Sequence, residues 1–166
     1  MKLIKIVLAL SALLALGACA SKFKTYDGPE VTRVVVMKAD RKMYLYNFNT
    51  LLAEHDVDLG FAPVGTKQFE GDGKTPEGRY TIDKRNPNSQ FHLSIGISYP
   101  NANDIEVARA AGKSPGGDIF IHGAANVNPL RKRGTDWTAG CISVSNREIE
   151  KIYAMVRDGT VIDIYP

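Results

Sequence analysis

Two side chains in this 166-residue chain have the types and spacing for nucleophilic chemistry: Cys141, in a turn of small residues, and His122, at the end of an apolar run. Eighteen residues rich in Asn, Gly, Arg and Lys separate them. A thiol with its ordinary pKa of about 8.5 offers little thiolate at neutral pH. An imidazole that accepts its proton removes that obstacle, so a Cys–His pair is a minimal unit for acyl transfer. Thr138, Ala139 and Gly140 lead into the cysteine. A glycine there permits a sharp turn that presents the sulfur and aims main-chain N–H groups at one point, the geometry of an oxyanion hole.

Other readings of these residues are weaker. A histidine closing an apolar strand is by itself usually a satisfied core residue, and a lone cysteine is often buried and inert. Gly123 after the histidine and the small-residue turn at the cysteine favour catalysis. The other histidines, His55 and His92, read as a surface side chain and a half-exposed strand residue. With no C-x-x-C or H-E-x-x-H spacing, a metal site is not expected. The Gly-rich run 65–78 lacks P-loop spacing and a following helix, and reads as a long loop or hairpin tip.

The elements that must position the pair are mostly strands. Residues 32–39 and 43–48 are β-branched or alternating and form a predicted hairpin through Asp40-Arg41-Lys42. A weaker strand spans 54–59, and further strands are expected at 79–84, 91–98, 118–121 and 160–165. Residues 103–111 read as a short helix capped by Asn103 or Asp104 and stopped at Gly112. Ser145 and Glu148 have capping-box spacing ahead of Ile149, Ile152, Tyr153 and Val156, which form one apolar helix face. The expected fold is mainly β with two helices, a β-rich α+β domain built on one curled or sandwiched sheet.

The N-terminus bears on compartment. Lys2 and Lys5 precede an apolar run, 6–16, too short to span a bilayer comfortably, and Leu16-Gly17-Ala18-Cys19 follows. The ending resembles a bacterial lipobox, so residues 1–18 are expected to be a signal peptide and Cys19 the lipidation site. An ordinary signal peptide cut after Ala18 or Ala20 is the alternative. Ala20 resembles the outer-membrane sorting signal of Gram-negative lipoproteins, which implies a periplasmic domain held to the membrane by an N-terminal lipid. Residues 19–30 then form a lipidated tether and 31–166 the working domain. Without residues 1–18 the chain carries nineteen basic and eighteen acidic residues, a balance that does not suggest nucleic acid. Lipid on Cys19 would leave Cys141 as the one free thiol and exclude an internal disulfide.

The order His122-Gly123, a spacer, then Thr138-Ala139-Gly140-Cys141-Ile142 resembles the catalytic motif of the L,D-transpeptidases, the YkuD-type domain. The stretch GDGKTPEGRYTI, Gly71 to Ile82, is similar to that family's TPxGxY hallmark, and the resemblance extends from Val31 to the C-terminus. It implies a β-rich cysteine enzyme acting on peptidoglycan stem peptides without cofactor or metal. Cys141 would be the nucleophile and His122 its base, oriented by the Gly123 carbonyl. Amides at Ala139, Gly140 and Cys141 would hold the oxyanion, and Thr138 fills the family's Ser/Thr position beside the substrate. Arg131, Lys132 and Arg133 either meet stem-peptide carboxylates or form a solvated loop tip. Trp137 either lines the cleft or anchors its loop.

The implied reaction acylates Cys141 with a tetrapeptide stem, releases D-Ala, and passes the acyl group to an amine. Ala139 and Ser143 depart from the commoner His and Arg or Asn of the family. The TAGCI form followed by Val144-Ser145-Asn146 resembles a subgroup that includes hydrolases. The alternative is therefore an L,D-carboxypeptidase or an amidase that frees a wall-attached lipoprotein. A non-catalytic wall-binding lipoprotein is the remaining reading.

Overall fold

The computed structural model describes residues 21–124 and 134–166. The expected signal peptide, Cys19, Arg131, Lys132 and Arg133 lie outside the described residues. Eight strands form one sheet: β1 (Arg33–Met37), β2 (Lys42–Asn47), β3 (Thr50–Asp56), β4 (Gly78–Asn86), β5 (Ser94–Ile97), β6 (Phe120–His122), β7 (Ile142–Ser143) and β8 (Val161–Tyr165). Their order across the sheet is β3-β2-β1-β8-β4-β5-β6-β7. The β1–β2 hairpin forms as the sequence predicts, while β1 and the last strand β8 run parallel side by side.

The curl has an identifiable place. The first half of β4 pairs with β8 and its second half with β5, with a register shift between Ile82 and Lys84. Such an irregularity bends a strand and raises its twist. The sheet then curves so far that the chain just past β3, at one edge, meets β7 at the other through an Asp58–Ser143 bridge. Alternation fills the concave side: Val34, Val36, Met43, Leu45, Ile162 and Ile164 are buried at every second position.

Helix α1 (Ala102–Ala110) starts earlier than the sequence suggested. Its cap is Asn101, whose side chain accepts from the Asp104 amide while the Asp104 carboxylate accepts from the Asn101 amide. Tyr80 Oη also donates to Asp104, at 3.0 Å, and this tertiary contact was invisible locally. Helix α2 (Asn146–Met155) carries the expected Ser145–Glu148 capping box and buries Ile149 and Ile152. Burying one such side chain stabilises by roughly 1.5–3 kcal/mol, so this face seats α2 beneath β5 and β6.

The 65–78 run is no loose tip. Asp72 accepts from the amides of Gln68, Phe69 and Lys74 and from Lys67 Nζ, all at 2.7–3.1 Å. Lys38, 2% exposed, donates to Gly65 O, Thr75 O and Glu77 Oε1. These buried charges pin the run from inside, each hydrogen-bonded to the chain around it.

Candidate active site

The sheet register brings the two reactive side chains together. β6 and β7 are parallel neighbours, with Ile121 opposite Ile142 and His122 opposite Ser143. Opposed residues share a face, and so do residues two apart. Cys141, two before Ser143, therefore lies on the face that carries His122. Ile121 and Ile142 point to the opposite face and are fully buried. Both reactive residues line one cleft of about 410 Å³, with Phe91, Phe120 and Asp118 beside them and an uncharged polar wall at Asn86, Asn88, Ser89 and Gln90.

The turn before the cysteine is held from two sides. Within it, Thr138 Oγ1 donates to Cys141 O at 2.7 Å and accepts from the Gly140 amide at 3.1 Å. Gly140 has φ +132°, and a Cβ there would stand 2.7 Å from Lys74 O, so the position requires glycine. From outside, the segment after β3 stitches itself along the turn. Asp58 and Ser143 exchange both main-chain bonds, Thr138 N donates to Leu59 O, and Phe61 N donates to Thr138 O. Asp136 caps this seam, accepting from the Leu59 amide and from Arg41 Nε and Nη2.

His122 is 3% exposed and its ring orientation is set. Nδ1 donates to Gly123 O at 2.7 Å, which leaves Nε2 as the nitrogen able to accept a proton. The Phe91 ring lies 4.4 Å from the imidazole, and the Trp137 ring meets it edge-on at 5.6 Å. Gly123 is itself fixed, its amide shared between Phe91 O and Leu93 O. A Cβ on it would come within 2.5 Å of Asn146 Oδ1, the atom that receives the Ala124 amide.

Both groups are driven toward their uncharged forms. Burial pushes the imidazole below its ordinary range, with the bond to Gly123 O opposing. Burial likewise raises the Cys141 thiol, the Phe120 N–H and the Lys67 charge opposing it and Asp118 adding to it. The thiol proton reaches the Asp118 carbonyl, Sγ to O 3.6 Å. Burial thus acts on both side chains of the cleft in the same sense, against the imidazolium and against the thiolate.

Several residues stand differently from their expected places. Thr138, expected against a substrate, is 4% exposed and spends its hydroxyl on the turn. The Gly140 amide, expected at an oxyanion, donates to Thr138 Oγ1. Trp137 packs on Phe91 and His122. His55 is buried rather than at the surface, its Nε2 without a hydrogen-bond partner among the described residues and its Nδ1 3.6 Å from Glu148. His92 sits in a turn with φ +73°, not in a strand, and pairs with Glu150 at 2.9 Å. Asp58, Asp136 and Arg41 were missed because nothing in their local sequence marks them.

A model of the L,D-transpeptidase catalytic domain family, YkuD, matches residues 31–164, and the chain belongs to that family. Over 146 residues it is 28% identical to the Escherichia coli (strain K12) protein named "Putative L,D-transpeptidase YafK", covering 80% of this chain and 53% of that one. Among solved structures it resembles the helical cell shape determining protein Pgp2 of Campylobacter jejuni, with TM-score 0.62 and 28% identity over 84% of this chain and 49% of Pgp2. Bd1075 of Bdellovibrio bacteriovorus gives TM-score 0.59 at 25% identity, over 86% and 50% of the two chains. L,D-transpeptidase 1 of Mycobacterium tuberculosis shares the fold, with TM-score 0.51 at 12% identity over 81% of this chain and 60% of that one. The chain spans about half the length of the curated relatives it matches.

Proposed function

We propose that this protein is a peptidoglycan-acting cysteine L,D-transpeptidase. The observation that carries the reading is His122, at the end of β6, and Cys141, just ahead of the neighbouring β7, lining one cleft, with Nε2 left as the basic nitrogen by the bond from Nδ1 to Gly123 O. In the proposed reaction Nε2 takes the thiol proton as Sγ attacks the carbonyl carbon between the third and fourth stem residues. The developing oxyanion is met by the Ala139 and Cys141 amides. The intermediate collapses as the imidazolium returns the proton to the departing amine, so D-Ala leaves and a thioester remains on Cys141. An amine acceptor then takes the acyl group.

The TAGCI form with Val144-Ser145-Asn146 supports a second outcome, in which water resolves the thioester. The enzyme would then shorten stems or free a wall-attached lipoprotein. Cys19 lipidation, residues 1–18 as a cleaved leader, residues 19–30 as tether and an outer-membrane address in the periplasm complete the proposal. A part in cell shape, the property named for Pgp2, accords with either outcome. Incubating the protein with a disaccharide-tetrapeptide and reading the products by mass spectrometry tests it. Loss of D-Ala that vanishes in Cys141→Ala is expected, with cross-linked dimers marking transfer and tripeptides marking hydrolysis. Turnover that survives in Cys141→Ala overturns the reading.

A further inference from the structure

Residues 21–30 lie outside the stretch matched to the family, 31–164, yet they contact the domain. The Phe23 ring lies 6.3 Å from that of Tyr153, and Lys24 Nζ is 3.3 Å from Glu150 on α2. Lys22 reaches furthest. Its ammonium donates to Pro87 O at 2.6 Å and to His92 O at 3.1 Å. Those carbonyls are the two ends of one loop, and between them Asn88, Ser89, Gln90 and Phe91 form a wall of the cleft that holds Cys141 and His122.

Two carbonyl oxygens converging on one point repel each other unless a cation lies between them, and an ammonium with three donors fills that place. The loop's far end is pinned again by His92 on Glu150, at a residue whose φ of +73° is costly for a side chain other than glycine. The loop also matters to the reacting groups, because the Phe91 ring covers His122 and its carbonyl receives the Gly123 amide.

We propose that Lys22 is a positioning residue of the active site, its ammonium closing the 87–92 loop and so setting the wall against which the substrate lies. The inference rests on the reading of that cleft as the substrate site. It makes the segment ahead of the family domain part of the working enzyme rather than a passive tether. Lys22 touches neither reacting atom and acts through the wall, so its loss falls on substrate binding more than on the chemical step.

The test compares Lys22→Met and Lys22→Arg with the parent in full-chain protein. In Lys22→Met the KM for a disaccharide-tetrapeptide is expected to rise about tenfold, with kcat changed less than about twofold, the size of one lost charge-assisted tie. Lys22→Arg, which keeps the cation, is expected to restore the parent KM. Trp137, the chain's one tryptophan, packs on Phe91 and gives a readout that needs no turnover. Acrylamide should quench its emission more readily in Lys22→Met and as in the parent for Lys22→Arg. Should Lys22→Met fail to melt cooperatively, Lys22→Gln, a donor without the charge, takes its place. Parent-like KM and quenching in the uncharged variant, or no rescue by Arg, overturns the proposal. If the parent shows no turnover of the tetrapeptide, the proposed reaction fails, and the quenching comparison alone decides the role of Lys22.

Discussion

The resting state of Cys141 and His122 sets how the enzyme should answer to pH. Burial lowers the imidazole pKa and raises that of the thiol, which disfavours the charged form of each. With His122 as the proposed base, turnover needs the neutral imidazole, and its acid limb should therefore fall below the ordinary value of about 6.5. Alkylation of Cys141 by iodoacetamide needs the thiolate. Its rate should still be climbing beyond the ordinary thiol value of about 8.5. A preformed thiolate–imidazolium pair would instead show a plateau of alkylation at neutral pH, and that result would sink this account. His122→Gln should remove turnover while leaving the sulfur open to alkylation at high pH.

At the scale of elements, the turn from Thr138 to Cys141 depends on one hydroxyl and one flanking segment. Thr138→Val removes the group that joins the Gly140 amide to the Cys141 carbonyl, stranding a buried donor and acceptor. Such a loss costs about 1–3 kcal/mol, equivalent to roughly five- to 150-fold in rate if it falls on the sulfur's position. The expected result is a lower kcat, with Thr138→Ser close to the parent, measured beside thermal melts of all three. Parent-like turnover in Thr138→Val would show that the 57–61 seam alone shapes the turn.

At the scale of the whole molecule, the buried charges under the 65–78 run are the test of architecture. Asp72 is held below its ordinary carboxylate range: burial acts to raise it, and the Gln68, Lys74 and Phe69 amides and Lys67 outweigh that. Asp72→Asn leaves Lys67, 4% exposed, without its counter-charge. Breaking a buried pair this way costs about 3 kcal/mol, or roughly 10 °C in Tm. The sign with pH follows from the lowered folded-state value. The carboxylate stabilises the fold above its unfolded pKa of about 3.9, and this contribution disappears as pH falls through the lower folded value. Differential melts should show the two proteins far apart at pH 7 and converging in acid. Equal melting temperatures at pH 7 would remove this pair from the stability of the loop.

Much of the fold is legible because its signals are local. Alternating β-branched runs, the Ser145–Glu148 box and the Ile149, Ile152 and Val156 face each lie within a few residues, and each appears where the sequence places it. The site residues were legible as types: a small-residue turn with a thiol, and a histidine followed by glycine. What the chain alone could not decide is which strands become neighbours. The α1 cap moved to Asn101, His55 turned inward, and Asp58, Asp136 and Arg41 gained their roles through partners dozens of residues away. Strand order in a curled sheet depends on the total burial and hydrogen bonding of all eight strands together, a sum that no short window contains. Residue chemistry and local conformation were thus written in the sequence, while the placing of Cys141 and His122 in one cleft came from the pairing of β6 with β7, and the main-chain ties around the cysteine turn came from the segment after β3 meeting that edge.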